Sequence, residues 1–170
     1  MVNKITCVIC MMIMLTTGCA EFDAYVKKDP LSHGIVKVVI GNFEYRSMNY
    51  DPYSVPAFRD ALRFEFFKKG INADLIRSQD DTSDSDNQCI AAAISRMSGD
   101  ILIKGVISQR EAGFLTDRVI SSSISFLIYN KKGDIIGQGV YSDDESAGDD
   151  SFKHSAALKI SSLVITKLNN

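Results

Sequence analysis

Apolar positions recur along the chain with two periods. Residues 35–40, Ile35-Val36-Lys37-Val38-Val39-Ile40, are β-branched and nearly continuous in apolar character, which predicts a buried strand. Residues 44–55 predict a loop. From Pro56, with Ser54 as a cap, the period changes, and Phe58, Ala61, Leu62 and Phe66 recur on one helical face. Lys68-Lys69-Gly70 ends that helix with the charge its C-terminus prefers. At 100° per residue, Phe64 and Phe67 lie roughly 120° and 180° from Phe58, where a helix on a sheet normally meets water. They are candidates for a self-association surface; the alternative is contact with the N-terminal segment or a neighbouring helix.

Residues 73–77 predict a second strand, 79–87 a polar loop and 88–97 a second helix that stops at Ser98-Gly99. The rest predicts a meander over 100–108, 122–129 and 135–142, with the hairpin turn Asn130-Lys131-Lys132-Gly133. An acidic loop over 143–150 leads to a last helix, 152–168, striped by Ala156, Ala157, Ile160, Leu163, Val164 and Leu168. The order β-α-β-α-β-β-β-α predicts an α/β sandwich, a mixed sheet with helices packed on it.

The N-terminus changes the picture. Lys4 is followed by an uncharged, mostly apolar run of about 13 residues, shorter than the roughly 17–25 that cross a bilayer. Gly18 then precedes Cys19, so residues 1–18 read as a secretory signal peptide. Leu15-Thr16-Thr17-Gly18-Cys19 resembles the lipobox of bacterial lipoproteins, with Thr16 at a position that is usually apolar. In that group a peptidase cuts before the cysteine, whose thiol and new amino terminus carry acyl chains. The resemblance implies lipidation at Cys19 and a lipid-anchored protein; the alternative is an ordinary cleaved signal with a chance cysteine. It also favours the outer membrane, because Ala20 rather than Asp follows the cysteine. Residues 19–34 then read as the lipidated cysteine and a tether, reaching roughly 20 Å as a flexible coil. Residues 35–170 read as one periplasmic domain.

Charge and cysteines restrict the function classes. The formal charge of −2 becomes one unit more negative without Lys4, which gives no electrostatic footprint for nucleic acid. Of the four cysteines, Cys7 and Cys10 leave with the signal and Cys19 is acylated. Cys89 alone stays a thiol, so no disulfide forms within the mature chain. It is a small buried hydrophobe beside Ile90 or, alternatively, a reactive nucleophile. His33 falls in the tether, and His154 lies near Asp149 and Asp150 like part of an acid–base pair, with no accompanying nucleophile or oxyanion motif. Residues 80–87 superficially resemble a calcium loop but lack its turn glycine and final glutamate. The expectation is a non-enzyme with no metal and no cofactor.

Several stretches resemble the curli-secretion-channel lipoproteins. They are Val38-Val39-Ile40-Gly41-Asn42-Phe43, Phe66-Phe67-Lys68-Lys69-Gly70, Ser98-Gly99-Asp100-Ile101-Leu102-Ile103-Lys104-Gly105 and Phe126-Leu127-Ile128-Tyr129-Asn130. The same layout resembles a polysaccharide-export ring protein and the activators of penicillin-binding proteins, a group whose members differ in function. The connection 109–121 is too short for two membrane-spanning strands of about 9–11 residues, which argues against a pore. The activators use a long tether, whereas the tether here extends at most roughly 50 Å. The resemblance implies an accessory or structural part of an envelope secretion or export assembly, meeting envelope proteins and copies of itself. The alternative is a monomeric binding lipoprotein such as an activator of a cell-wall enzyme.

Right-handed crossovers make the first three expected strands parallel, and the two hairpins return the fifth to that direction. The acidic loops then share one end of the sheet, gathering Asp80, Asp81, Asp84, Asp86, Asp143, Asp144, Glu145, Asp149 and Asp150. Lys68, Lys69, Lys131 and Lys132 take the other end. Such an acidic rim, repeated in an oligomer, would attract cationic polymers or protein segments. The alternative is that these loops are charged for solubility.

Overall fold

Val38, Val39 and Ile40 are fully buried because helices pack on both faces of the strand they belong to. A computed structural model of the protein describes residues 20–27, 34–35, 37–47, 51–76, 86–112, 119–144 and 148–168, without the side chains of 112 and 119. The elements are β1 (Glu21–Val26), β2 (Lys37–Arg46), α1 (Ser54–Lys68), β3 (Asn72–Leu75) and α2 (Asn87–Arg96). They continue as β4 (Ile101–Ala112), β5 (Val119–Asn130), β6 (Ile135–Asp143) and α3 (Asp150–Leu168). One six-stranded sheet has the order β1-β6-β5-β4-β2-β3. β2 is parallel to β3 and β4, while β4–β5, β5–β6 and β6–β1 are antiparallel. The chain is α/β, with a mixed sheet and packed helices as expected.

The first strand corrects the expected order. Residues 21–26, read as tether, pair with Gly137–Ser142. Exposure alternates along them: Phe22, Ala24 and Val26 are half-buried against the core, and Glu21, Asp23 and Tyr25 face water. This is the period-2 pattern of a half-buried strand. The Phe22 ring stacks on Phe126 at 6.3 Å, so residues 21–26 belong to the folded sheet rather than to a tether. β2 also outlasts its apolar run, reaching Arg46 where a loop was expected, because a register shift between Ile40 and Phe43 absorbs Gly41 and Asn42 as a bulge. β4 and β5 stay paired to Ala112 and Val119, so the connection shortens from 109–121 to 113–118.

Two apolar layers hold the sheet. On one face α1 supplies Phe58, Leu62 and Phe66, and α3 supplies Phe152, Ala156, Ala157, Ile160, Val164 and Leu168. Phe58 meets Phe43 edge-on at 5.0 Å; fully burying such a ring stabilises by about 1.5–3 kcal/mol. On the other face α2 lays Ile90 and Ile94 over Val39, Leu102 and Tyr129. Gly133 closes the β5–β6 turn at φ +83°, a conformation that favours glycine, and Asn130 Oδ1 accepts the Lys132 and Asp134 N–H groups.

Candidate functional site

The two phenylalanines singled out by helical spacing stand on the outer side of α1. Phe64 is 55% exposed and Phe67 72%, whereas Phe58, Leu62 and Phe66 on the core face are fully buried. The exposed rings overhang β3, the short strand at one edge of the sheet. With Lys37, Asp60, Arg63, Asn72, Ala73 and Asp74 they line an open groove of about 600 Å³. Its rim is polar: Lys37 Nζ lies 2.7 Å from Asp74 Oδ2, and Lys68 Nζ sits 5.4 Å above the Phe64 ring. An apolar floor with a charged rim beside a strand edge shares its make-up with the surfaces at which proteins meet.

The inner side of α1 carries a polar seam that spacing alone could have located. Glu65 follows Phe58 by seven residues, two helical turns, and therefore shares its core-facing arc. Its side chain is fully buried, and Oε1 accepts a hydrogen bond from Lys68 Nζ at 2.8 Å. His154 Nδ1 lies 3.5 Å from the same oxygen, so its close carboxylate is Glu65 of α1 rather than Asp149 or Asp150. Farther along, Lys69 Nζ donates to Ser161 and Ser162 of α3. The seam orients two helices.

The acidic residues separate on inspection. Asp143, Asp144, Asp149 and Asp150 cluster where β6 ends and α3 begins. The side chains of Asp143, Asp149 and Asp150 have local work at a chain turn. Asp143 accepts the Tyr141 hydroxyl and the Asp144 N–H, and Asp149 accepts the Ser151 N–H. Asp150 lies 3.0 Å from the buried Lys153. Bonds from the Ser151 backbone and hydroxyl hold the Asp149 carboxyl below its ordinary value of 3.8. Asp86 does not join them. It caps α2, and the next residue, Asn87, packs its backbone against Gly133 in the β5–β6 turn. That is the end of β6 holding Lys131 and Lys132, with Lys131 paired to Asp100 at 2.8 Å. The expectation that Asp86 shares the acidic end is therefore corrected: α2 begins beside the β5–β6 turn, at the lysine end of the sheet. Asp80, Asp81, Asp84 and Glu145 lie outside the described residues, as does Cys19.

Cys89 is half-buried on α2. Among the described residues, no group of three His, Cys, Asp or Glu side chains is placed to hold a metal ion, and no helix is long and apolar enough to cross a membrane.

No family model and no curated protein matches the chain in sequence. Solved structures match it in fold. The PelC dodecamer from Paraburkholderia phytofirmans has a TM-score of 0.63 at 11% identity, covering 89% of this chain and 100% of that one. A point variant of the same dodecamer in another crystal form gives 0.60 at 11% identity, over 86% and 99% of the two chains. The C-terminal domain of LpoB from Salmonella enterica gives 0.45 at 12% identity, over 66% and 86%. At such identity the likeness is one of architecture: this chain has the fold of a PelC subunit.

Proposed function

We propose that the protein is a lipid-anchored, non-enzymatic component of a bacterial envelope secretion or export assembly, self-associating at the outer membrane. The observation that carries this reading is the fold shared with the whole of a PelC subunit, a chain that assembles as a dodecamer. The exposed Phe64 and Phe67 supply a surface of the kind such assembly needs.

The position of β1 supports assembly over the alternative of a tethered activator. Glu21 already pairs with Ser142, and it follows the acylated Cys19 by two residues, a span of about 7 Å. The anchor therefore holds the edge of the folded sheet at the bilayer, within no reach of an enzyme in the opposite membrane. Two or more acyl chains make that attachment stable.

Two measurements test the reading. Native mass of the detergent-extracted protein should correspond to a multimer; a monomer at high concentration overturns self-association and favours the binding-lipoprotein alternative. Cys19→Ser should lose acyl labelling and leave the membrane fraction. Continued labelling would overturn the assignment of the anchor.

A further inference from the structure

The outer strands of the sheet lie at different heights. Following the pairings across it, Val26 of β1 shares a rung with Gly137, Ile128, Ile103 and Ile40. Glu21, at the other end of β1, shares a rung with Ser142, Ser123, Ser108 and Arg46. β1 thus occupies the heights of Ile40 to Arg46 in β2. At the opposite edge β3 pairs only with Lys37–Ile40, so it stops at the height where β1 starts. Among the described residues no strand lies beyond β2 from Phe43 to Arg46.

The two edges are therefore complementary steps. A second copy set beside β2 in the same orientation brings its β1 level with Phe43–Arg46, above β3 and antiparallel to β2. We propose that copies of this chain join head to tail in this way, β1 of one copy extending the sheet of the next. This deepens the self-association reading and rests on it.

Side-chain chemistry agrees with the register. Phe22 and Ala24 face the same layer as Tyr45 and Phe43, so they would meet on the helix side of the joined sheet. Glu21 and Arg46 take the other face and the same rung, giving an opposite-charge cross-strand pair that would offset the like-charge rung beside it, where Asp23 stands level with Glu44. The Arg46 side chain is 67% exposed and already holds Glu44 on its own strand through Nε and one terminal nitrogen, so its guanidinium would stand between that carboxylate and Glu21 of the next copy. Below, Asp74 in the Phe64–Phe67 groove shares a rung with Val39, Leu102, Tyr129 and Ile135. The groove of one copy would therefore stand level with Ile135 of the next, which is 54% exposed. Because two different surfaces meet, the contact is heterologous and repeats around a ring instead of stopping at a dimer. It also covers edges that would otherwise template uncontrolled pairing.

The test uses the full chain, membrane-extracted, in a Cys89→Ser background. Glu21→Cys and Arg46→Cys together should give, on mild oxidation, a ladder of cross-linked species beyond the dimer. Either cysteine alone should give dimers at most. Both positions are exposed, and circular dichroism checks that the fold survives. As a second readout, Arg46→Glu should raise the concentration needed for assembly at least about tenfold, since like charges then face each other. Adding Glu21→Lys should restore it. A native-mass multimer that yields no ladder, or stops at dimers, overturns the edge-to-edge contact while leaving self-association standing. A monomeric wild-type protein overturns both.

Discussion

Glu65 and His154 meet between α1 and α3, with 3.5 Å from Oε1 to Nδ1, and only the carboxylate is buried. The histidine side chain is 56% exposed and that of Lys68, the other partner, 44%. Two basic side chains thus reach in from the surface toward a carboxylate at the helix interface. Among the described residues, Oε2 of Glu65 has no hydrogen-bond partner. A buried charge whose partners stay solvated loses more hydration than they do, so this contact sets helix alignment more than it stabilises the fold.

That asymmetry gives a mutational expectation. Glu65→Leu keeps similar volume and removes the buried charge, so it should be neutral or stabilise by about 1–4 kcal/mol. Glu65→Lys places a buried cation beside Lys68 and should destabilise by about 3–5 kcal/mol. Urea unfolding followed by circular dichroism separates them. A clear loss of stability in Glu65→Leu would show that the ion pair contributes net stability.

Gly139 decides whether the N-terminal strand can dock. A Cβ added there would stand 2.6 Å from the Cβ of Ala24 and 2.6 Å from Cζ of Phe126. Gly139→Val should therefore displace β1 or the Phe126 ring beneath it, at about 1–3 kcal/mol. Hydrogen exchange should rise across residues 21–26 and stay low in β4. Unchanged protection of 21–26 would mean that β1 is not held by its packing on Phe126.

These cases separate what the sequence makes legible from what it hides. The helices and the meander are legible because Phe58, Leu62 and Phe66, or Ile124, Phe126 and Ile128, keep one period over several turns or rungs. The exposure of Phe64 and Phe67 follows from the same arithmetic. β1 carries a period too, in Phe22, Ala24 and Val26, but Glu21, Asp23 and Ala24 are poor strand formers on an edge where packing, not propensity, decides. The extension of β2 is hidden by Gly41 and Asn42, which resemble a turn and instead form a bulge. Asp86 is misplaced for another reason. Strand order gives the direction of each strand, not the place where the helix after β3 begins.

Asp51 should tie the start of α1 to acid. Its carboxylate accepts the Ser54 hydroxyl at 2.6 Å and the Tyr53 N–H at 2.9 Å. Those bonds, the Ser54 one foremost, hold its pKa below the ordinary 3.8. A carboxylate with a depressed folded value contributes stability that is complete above the unfolded value. It is lost as pH falls from there through the folded value. Asp51→Asn should lower stability at neutral pH by on the order of 1 kcal/mol and flatten the slope of stability below pH 3.8. An unaltered acid slope in Asp51→Asn would show that other carboxylates set it.

The apolar edge gives the last expectation. Phe64 and Phe67 are exposed by 55% and 72%, and the core face of α1 closes without them. Replacing them with Phe64→Ala and Phe67→Asp removes no core contact, so the chain should keep its circular dichroism and its unfolding midpoint within about 0.5 kcal/mol of stability. If both rings become buried between copies, each contributes about 1.5–3 kcal/mol to every contact, and a carboxylate set in the same groove opposes closure further. The double variant should then be a folded monomer wherever the wild type is a multimer. An unchanged assembly size with native circular dichroism would take this groove out of the interface, yet would leave β1 against β2 open to its own cross-linking test. Loss of folding would instead place both rings in contacts within one copy, against the exposure of each. The pair and the Glu21–Arg46 rung lie at different heights of the same edge, so disruption by either one alone would show which half of the step carries the contact.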